Sequence, residues 1–130
     1  MIDLRPSVLE RMRVLLQEPE QWTRGTLARS VLGNSVVPLS DTACCWSLSG
    51  ALARALYDVM GPRAAQCDWH AAYEAALLSL WGALPSDHPR TTRRGLDVDG
   101  FNDFPSTTHA CVLLLVQDAL AGLSTPAAPR

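Results

Sequence analysis

Residues 69–84 carry the pattern that most restricts what this chain can fold into. Trp69, Tyr73, Ala76, Leu77, Leu80, Trp81 and Leu84 recur at helical spacing and form one apolar stripe on an α-helix. Asp68 is placed to cap its start and Pro85 to end it. A helix with a single apolar stripe must bury that stripe against other elements. The rest of the chain reads as further helices able to receive it.

The first helix is expected to start at Ser7, because Ser7-Val8-Leu9-Glu10 has the form of a capping box. Val8, Leu9, Met12, Leu15 and Leu16 then recur at helical spacing until Pro19 stops the run. Residues 22–32 read as a second, shorter helix with Gly33-Asn34 as its stop signal. Val36, Val37 and Leu39 around Pro38 read as extended, and Pro38 argues against a central strand. The next helix runs over 42–60, capped by Ser40 or Asp41 and closed by Gly61-Pro62. Its middle, Ser47-Leu48-Ser49-Gly50-Ala51, is built from small residues. A glycine inside a helix costs ~1 kcal/mol relative to alanine, so Gly50 implies close approach of another backbone. Residues 85–105 form a long polar connection, of a length that is uncommon without a function. The last helix starts at Ser106 or Thr107 and ends near Leu120 or Ala121, before Gly122. The expectation is an all-α fold: a single compact domain over 1–123, of four to five helices, with one long polar loop before the last helix. Residues 124–130 are expected to be a flexible tail.

Composition narrows the function classes. The hydrophobic share is 48% and the charged share 18%, which describes a globular chain rather than a disordered one. All eleven basic residues are arginine, yet the net charge is −2, without the basic footprint of a nucleic-acid binder. No apolar run approaches the roughly 20 residues that span a bilayer, and no amino-terminal stretch has signal-peptide form. A cytoplasmic location follows as the expectation. Of the four cysteines, Cys44 and Cys45 are adjacent, and three of the four fall in expected apolar helices, so buried free thiols are expected rather than disulfides.

Three stretches carry a resemblance: Trp22-Thr23-Arg24-Gly25 with Ala28-Arg29, Trp46-Ser47-Leu48-Ser49-Gly50-Ala51-Leu52, and Phe101-Asn102-Asp103 followed by Thr108-His109. In combination and order they resemble a small uncharacterised family of bacteria and their phages. Its members typically read Gly-x-Trp-x-x-Gly, then Trp-Cys-x-x-Gly-Ala-Leu, then Trp-Asn-Asp before Thr-His-x-x-Val-Leu. The resemblance covers residues 8–120 and implies a helical fold, without naming an activity. This chain departs from the pattern at Ser47, where cysteine is usual, at Phe101, where tryptophan is usual, and at Cys111, where an acidic residue is common. A cysteine nucleophile at that position is therefore absent here.

The candidate ligand-binding residues are Trp46, Arg93, Arg94, Asn102, Asp103, Thr108 and His109. Asn102 and Asp103 could aim an amide and a carboxylate into a cleft, or cap the following turn. His109 could pair with Asp103 for acid–base work, or sit partly buried on a hydrogen bond to that Asp, beside Thr108 as helix cap. Arg90, Arg93 and Arg94 form the one basic cluster and suit a phosphate group, or a solvated loop face. A triad of Cys45 or Ser47 with His109 and Asp103 has the residue types but no nucleophile elbow. No metal-ligand spacing occurs among Cys44, Cys45, Cys67, Cys111, His70, His88 and His109, and Asp97-x-Asp99-Gly100 lacks the rest of a calcium loop. No metal, cofactor or catalytic residue is assigned. The leading expectation is a non-enzymatic binding or interaction module, phage- or mobile-element-encoded, that sequesters a small molecule or a host factor. A small enzyme using Asp103 and His109 and a structural homo-oligomer are the alternatives.

Overall fold

The computed structural model describes residues 2–124. Its helices are α1 (Arg5–Leu15), α2 (Leu48–Met60), α3 (Gln66–Gly82), α4 (Arg94–Asp103) and α5 (His109–Ser124). Between α1 and α2 lies a two-stranded antiparallel sheet, β1 (Ala28–Ser30) against β2 (Ala43–Trp46). The domain is therefore mostly helical rather than all-α. Except for Ser124, which closes α5, the tail expected over 124–130 lies outside the described residues.

One core joins all five helices. Val8, Leu9, Met12, Leu15 and Leu16 come from α1 and the residue after it, and Leu48, Ala51, Leu52, Ala55 and Leu56 from α2. Ala76, Leu77 and Leu80 of α3, Val98 and Phe101 of α4, and Val112, Leu115, Val116 and Ala119 of α5 complete it. Helix α1 packs chiefly on α2 and α5, and α3 lies against α2, α4 and α5. The stripe on α3 is buried as its spacing requires, although Trp69, Tyr73 and Trp81 remain only partly covered.

Helix α1 begins two residues before the expected capping box. Pro6 suits a first turn, and the Asp3 carboxylate accepts the Arg5 backbone N–H at 3.0 Å. Glu10 is instead paired with Arg13 at 2.7 Å.

The second expected helix, over 22–32, does not form. Gly25 and Gly33 have φ of 77° and 86°, left-handed values that interrupt a helix. Ser30 N–H donates to Asn34 O at 2.9 Å and Val36 N–H to Ala28 O at 3.0 Å, so Gly33-Asn34 closes a hairpin. The first part of the expected third helix is likewise strand β2. Cys44 and Cys45 therefore lie on a strand, Cys44 exposed and Cys45 buried, and all four thiols are free. Helix α2 starts only at Leu48, where the Ser47 hydroxyl accepts the Gly50 N–H at 3.1 Å. It ends at Gly61 as the sequence implies.

The expected long polar loop contains α4. Asp97, Val98, Phe101 and Asn102 form its buried face, and two of these are polar, which masks the helical periodicity in the sequence. Residues 85–93 remain as the true connection. They are fastened by Asp97, whose carboxylate accepts the Trp81 indole N–H at 2.9 Å and the Thr91 N–H and hydroxyl at 2.8 Å each. These donors, the Trp81 indole first, hold the Asp97 carboxyl below its ordinary range.

The small-residue stretch of α2 has the purpose expected of it. A Cβ on Gly50 would stand 1.9 Å from the carbonyl oxygen of Leu27. That oxygen accepts the Ser47 N–H at 3.1 Å, so the segment leading into β1 lies directly on the first turn of α2. The close approach is made within the chain. Gly50→Ala should destabilise the protein by about 3 kcal/mol or more, at the top of the overpacking range, measured by urea unfolding. Gly100→Ala, at an open position on α4, should instead gain about 0.5–1 kcal/mol.

Candidate functional site

Asn102 is 1% exposed and uses its whole amide. Its Oδ1 accepts the Trp22 indole N–H at 2.8 Å and the Leu48 backbone N–H at 3.0 Å. Its Nδ2 donates to Thr23 O at 3.1 Å and to Asp103 Oδ1 at 2.9 Å. Leu48 is the first residue of α2, so its N–H has no partner inside that helix. Asn102 thus caps α2 from the end of α4, rather than the helix that follows it in sequence. Asp103 in turn accepts the Gly25 N–H at 3.0 Å, which pins the turn before β1.

This junction borders a pocket of about 180 Å³, lined by Gly25, Thr26, Leu27, Ser47, Asp99, Asn102 and Asp103. Asp99 and Asp103 stand four residues apart on α4, on one face of the helix. Ser49 donates its hydroxyl to Asp99, and the Tyr73 phenol lies on the same serine. Burial pushes the Asp99 carboxyl up, Ser49 opposes that, and the neighbouring Asp103 adds to it. Burial raises the Tyr73 phenol as well, with Asp99 adding to the effect. Ser49 and Tyr73 were not candidates in the sequence, and Ser47 and Asp99 entered it only as a triad member and as part of an incomplete calcium loop. An Asp at i and i+4 on one helical face is the signal that could have found Asp99, had 94–103 been read as a helix.

The other expected residues lie around this junction or apart from it. Trp46 is buried and its indole donates to Pro38 O at 3.1 Å, so it anchors the hairpin and does not line the pocket. Thr108 caps α5 by accepting the Cys111 N–H at 3.3 Å. His109 donates Nε2 to Leu16 O at 2.6 Å, and its ring lies 6.5 Å from that of Trp22. The imidazole is thus held by the end of α1, whereas Asp103 is held by Gly25 and Asn102. Arg24 stacks on Trp22 at 4.9 Å and donates to Thr107 O, which ties the opening loop to the start of α5. Arg93 and Arg94 sit at the opposite end of α4 from Asn102 and Asp103. Arg94 and Arg90 lie over the Trp81 ring at 5.4 and 4.9 Å, while Arg93 is exposed.

Among the described residues no group of three His, Cys, Asp or Glu side chains could hold a metal ion, and no helix is long and apolar enough to cross a membrane. The protein is thus a mostly helical, single-core domain whose opening loop, α2 and α4 meet on one buried asparagine. It belongs to a family of unknown function, DUF6197, whose model matches residues 1–121. No curated protein and no solved structure matches the chain significantly.

Replacing Asn102 by alanine should lower stability by about 3–5 kcal/mol, because it strands two buried donors and two acceptors at once. Denaturant unfolding checks this. Asp99 makes a prediction of opposite sign. A carboxyl whose folded pKa stands above its unfolded value loses stability as pH rises between the two. Asp99→Asn should therefore raise Tm at neutral pH, and the gain should shrink as pH falls through the ordinary carboxylate range. Thermal melts of both proteins across that range check it.

Proposed function

We propose that this domain is a non-enzymatic binding module whose pocket beside Asn102 receives a cationic group, an amine or guanidinium. The observation that carries this reading is the pair of carboxylates, Asp99 and Asp103, lining one concave site against the start of α2. A cation brought between them would relieve their mutual repulsion and the burial of Asp99. The Thr26 and Ser47 hydroxyls line the same pocket and could accept its remaining donors.

The surroundings favour a source on another protein over a free amine. Leu27 lines the pocket and is 45% exposed, and the hairpin that follows leaves Val31 and Leu32 86% and 83% exposed, with Val37 at 68%. Apolar side chains gathered on one exposed segment mark interaction surfaces. A partner presenting a lysine or arginine beside an apolar contact would satisfy both. Four free thiols accord with a cytoplasmic protein. Against an acid–base role for Asp103 and His109 stands the separate anchoring of each.

The test is native mass spectrometry of gently purified protein, followed by thermal shift with arginine amide and with butylamine. A ligand that binds only the folded state raises Tm in proportion to its concentration over Kd. The module should be stabilised by at least one of the two amines, and Asp103→Asn should lose that response. A protein source would show as a co-purified polypeptide lost on Val31→Asp. No response to either amine, with a bare mass for the native protein, would overturn the reading.

A further inference from the structure

Cys44 and Cys45 are adjacent on β2, and in a regular strand adjacent side chains point to opposite faces. Here the strand is not regular. Ala28 faces Trp46, Arg29 faces Cys45 and Ser30 faces Ala43, so Cys44 is an extra residue with no partner on β1. The two cysteines together oppose Arg29, which is a β-bulge, and the alternation is broken between them. Both thiols consequently converge on one atom: Cys44 Sγ lies 3.5 Å and Cys45 Sγ 3.8 Å from the carbonyl oxygen of Arg29. Cys44 is exposed and gives access, while Cys45 is 9% exposed and fixed in the sheet.

We propose that this bulge presents a vicinal dithiol site for a monosubstituted trivalent arsenical, a soft centre with two exchangeable positions. Two sulfurs from neighbouring residues match two exchangeable positions. Centres needing three or four protein ligands are not served, since no third His, Cys, Asp or Glu joins the pair among the described residues. Cys67 lies on α3 and Cys111 on α5, each without a second cysteine on its helix. Soft thiolates are the ligands that select soft centres. In the reaction, two S–H bonds and the two As–OH bonds of the hydrated arsenical break. Two As–S bonds form, and each thiol proton leaves with a hydroxide as water. Arsenic stays trivalent throughout, so no oxidant or reductant is consumed. Cys44 reacts first because it is exposed, and ring closure onto Cys45 then becomes intramolecular, which is the source of retention.

The experiment uses phenylarsine oxide and the full chain, with intact-mass spectrometry as readout. The wild-type protein should take one phenylarsine with loss of both thiol protons, keep it in a large excess of 2-mercaptoethanol, and release it to dimercaptopropanol. Cys44→Ser and Cys45→Ser should each lose the monothiol-resistant adduct. Cys67→Ser/Cys111→Ser should retain it. Cys45→Ala serves as a second variant at the buried position, with circular dichroism confirming that each variant is folded. A resistant adduct that persists without Cys44 or Cys45, or one that vanishes without Cys67 and Cys111, would overturn the proposal. So would a wild-type adduct that 2-mercaptoethanol strips.

Discussion

The amide of Asn102 is the point on which the arrangement of this domain depends. It makes four hydrogen bonds, to Trp22, Thr23, Leu48 and Asp103, and so joins the opening loop, the first turn of α2 and the end of α4. A buried amide with two donors and two acceptors is strongly directional, and it is stable only when every one of them is met. Apolar packing could bring α4 near α2 in many registers. The amide selects one of them, because a shift of either element would leave a buried polar group without a partner.

A second constraint works beside the first. The Leu27 carbonyl lies over Gly50 at a distance that no side chain could share, and it accepts the N–H of Ser47. The sheet therefore meets α2 at the same turn that Asn102 caps. Together these contacts bring the hairpin and α4 to the two sides of one helix start. The pocket with Asp99 and Asp103 is the space left between them, and its acidic character follows from which face of α4 turns towards α2. Burial of Asp99 there is a standing electrostatic penalty, relieved in part by the Ser49 hydroxyl.

The remaining polar groups mostly hold the structure together. Asp97 fastens residues 85–93 to Trp81, His109 is bound to the end of α1, and Trp46 to the loop at Pro38. Arg90 and Arg94 lie over the ring of Trp81 and give the α3–α4 corner an aromatic–cationic layer. Each of these side chains has a partner that accounts for its position. The Asp99 and Asp103 carboxylates differ in lining a pocket, and Cys44 differs in lying exposed beside its buried neighbour Cys45.

The sequence by itself determined the helices whose apolar stripes are uninterrupted. The cores of α1, α3 and α5, the end of α2 at Gly61, and the meaning of Gly50 were all legible, because periodicity and glycine stereochemistry act locally. Asn102 and Asp103 were legible as a polar pair, although Asn102 was not legible as the cap of a helix that starts 54 residues earlier. The tertiary structure alone decided the rest. Residues 22–32 have apolar spacing compatible with a helix, but β1 forms there because its backbone pairs with β2, and the Leu27 carbonyl just before it accepts the Ser47 N–H at the start of α2. Helix α4 was hidden because half of its buried face is Asp97 and Asn102, polar groups that only distant partners make tolerable. The bulge that turns two adjacent cysteines towards one carbonyl is likewise a matter of register between strands. Local pattern sets which segments can be helices, and non-local hydrogen bonding decides which polar residues are permitted inside.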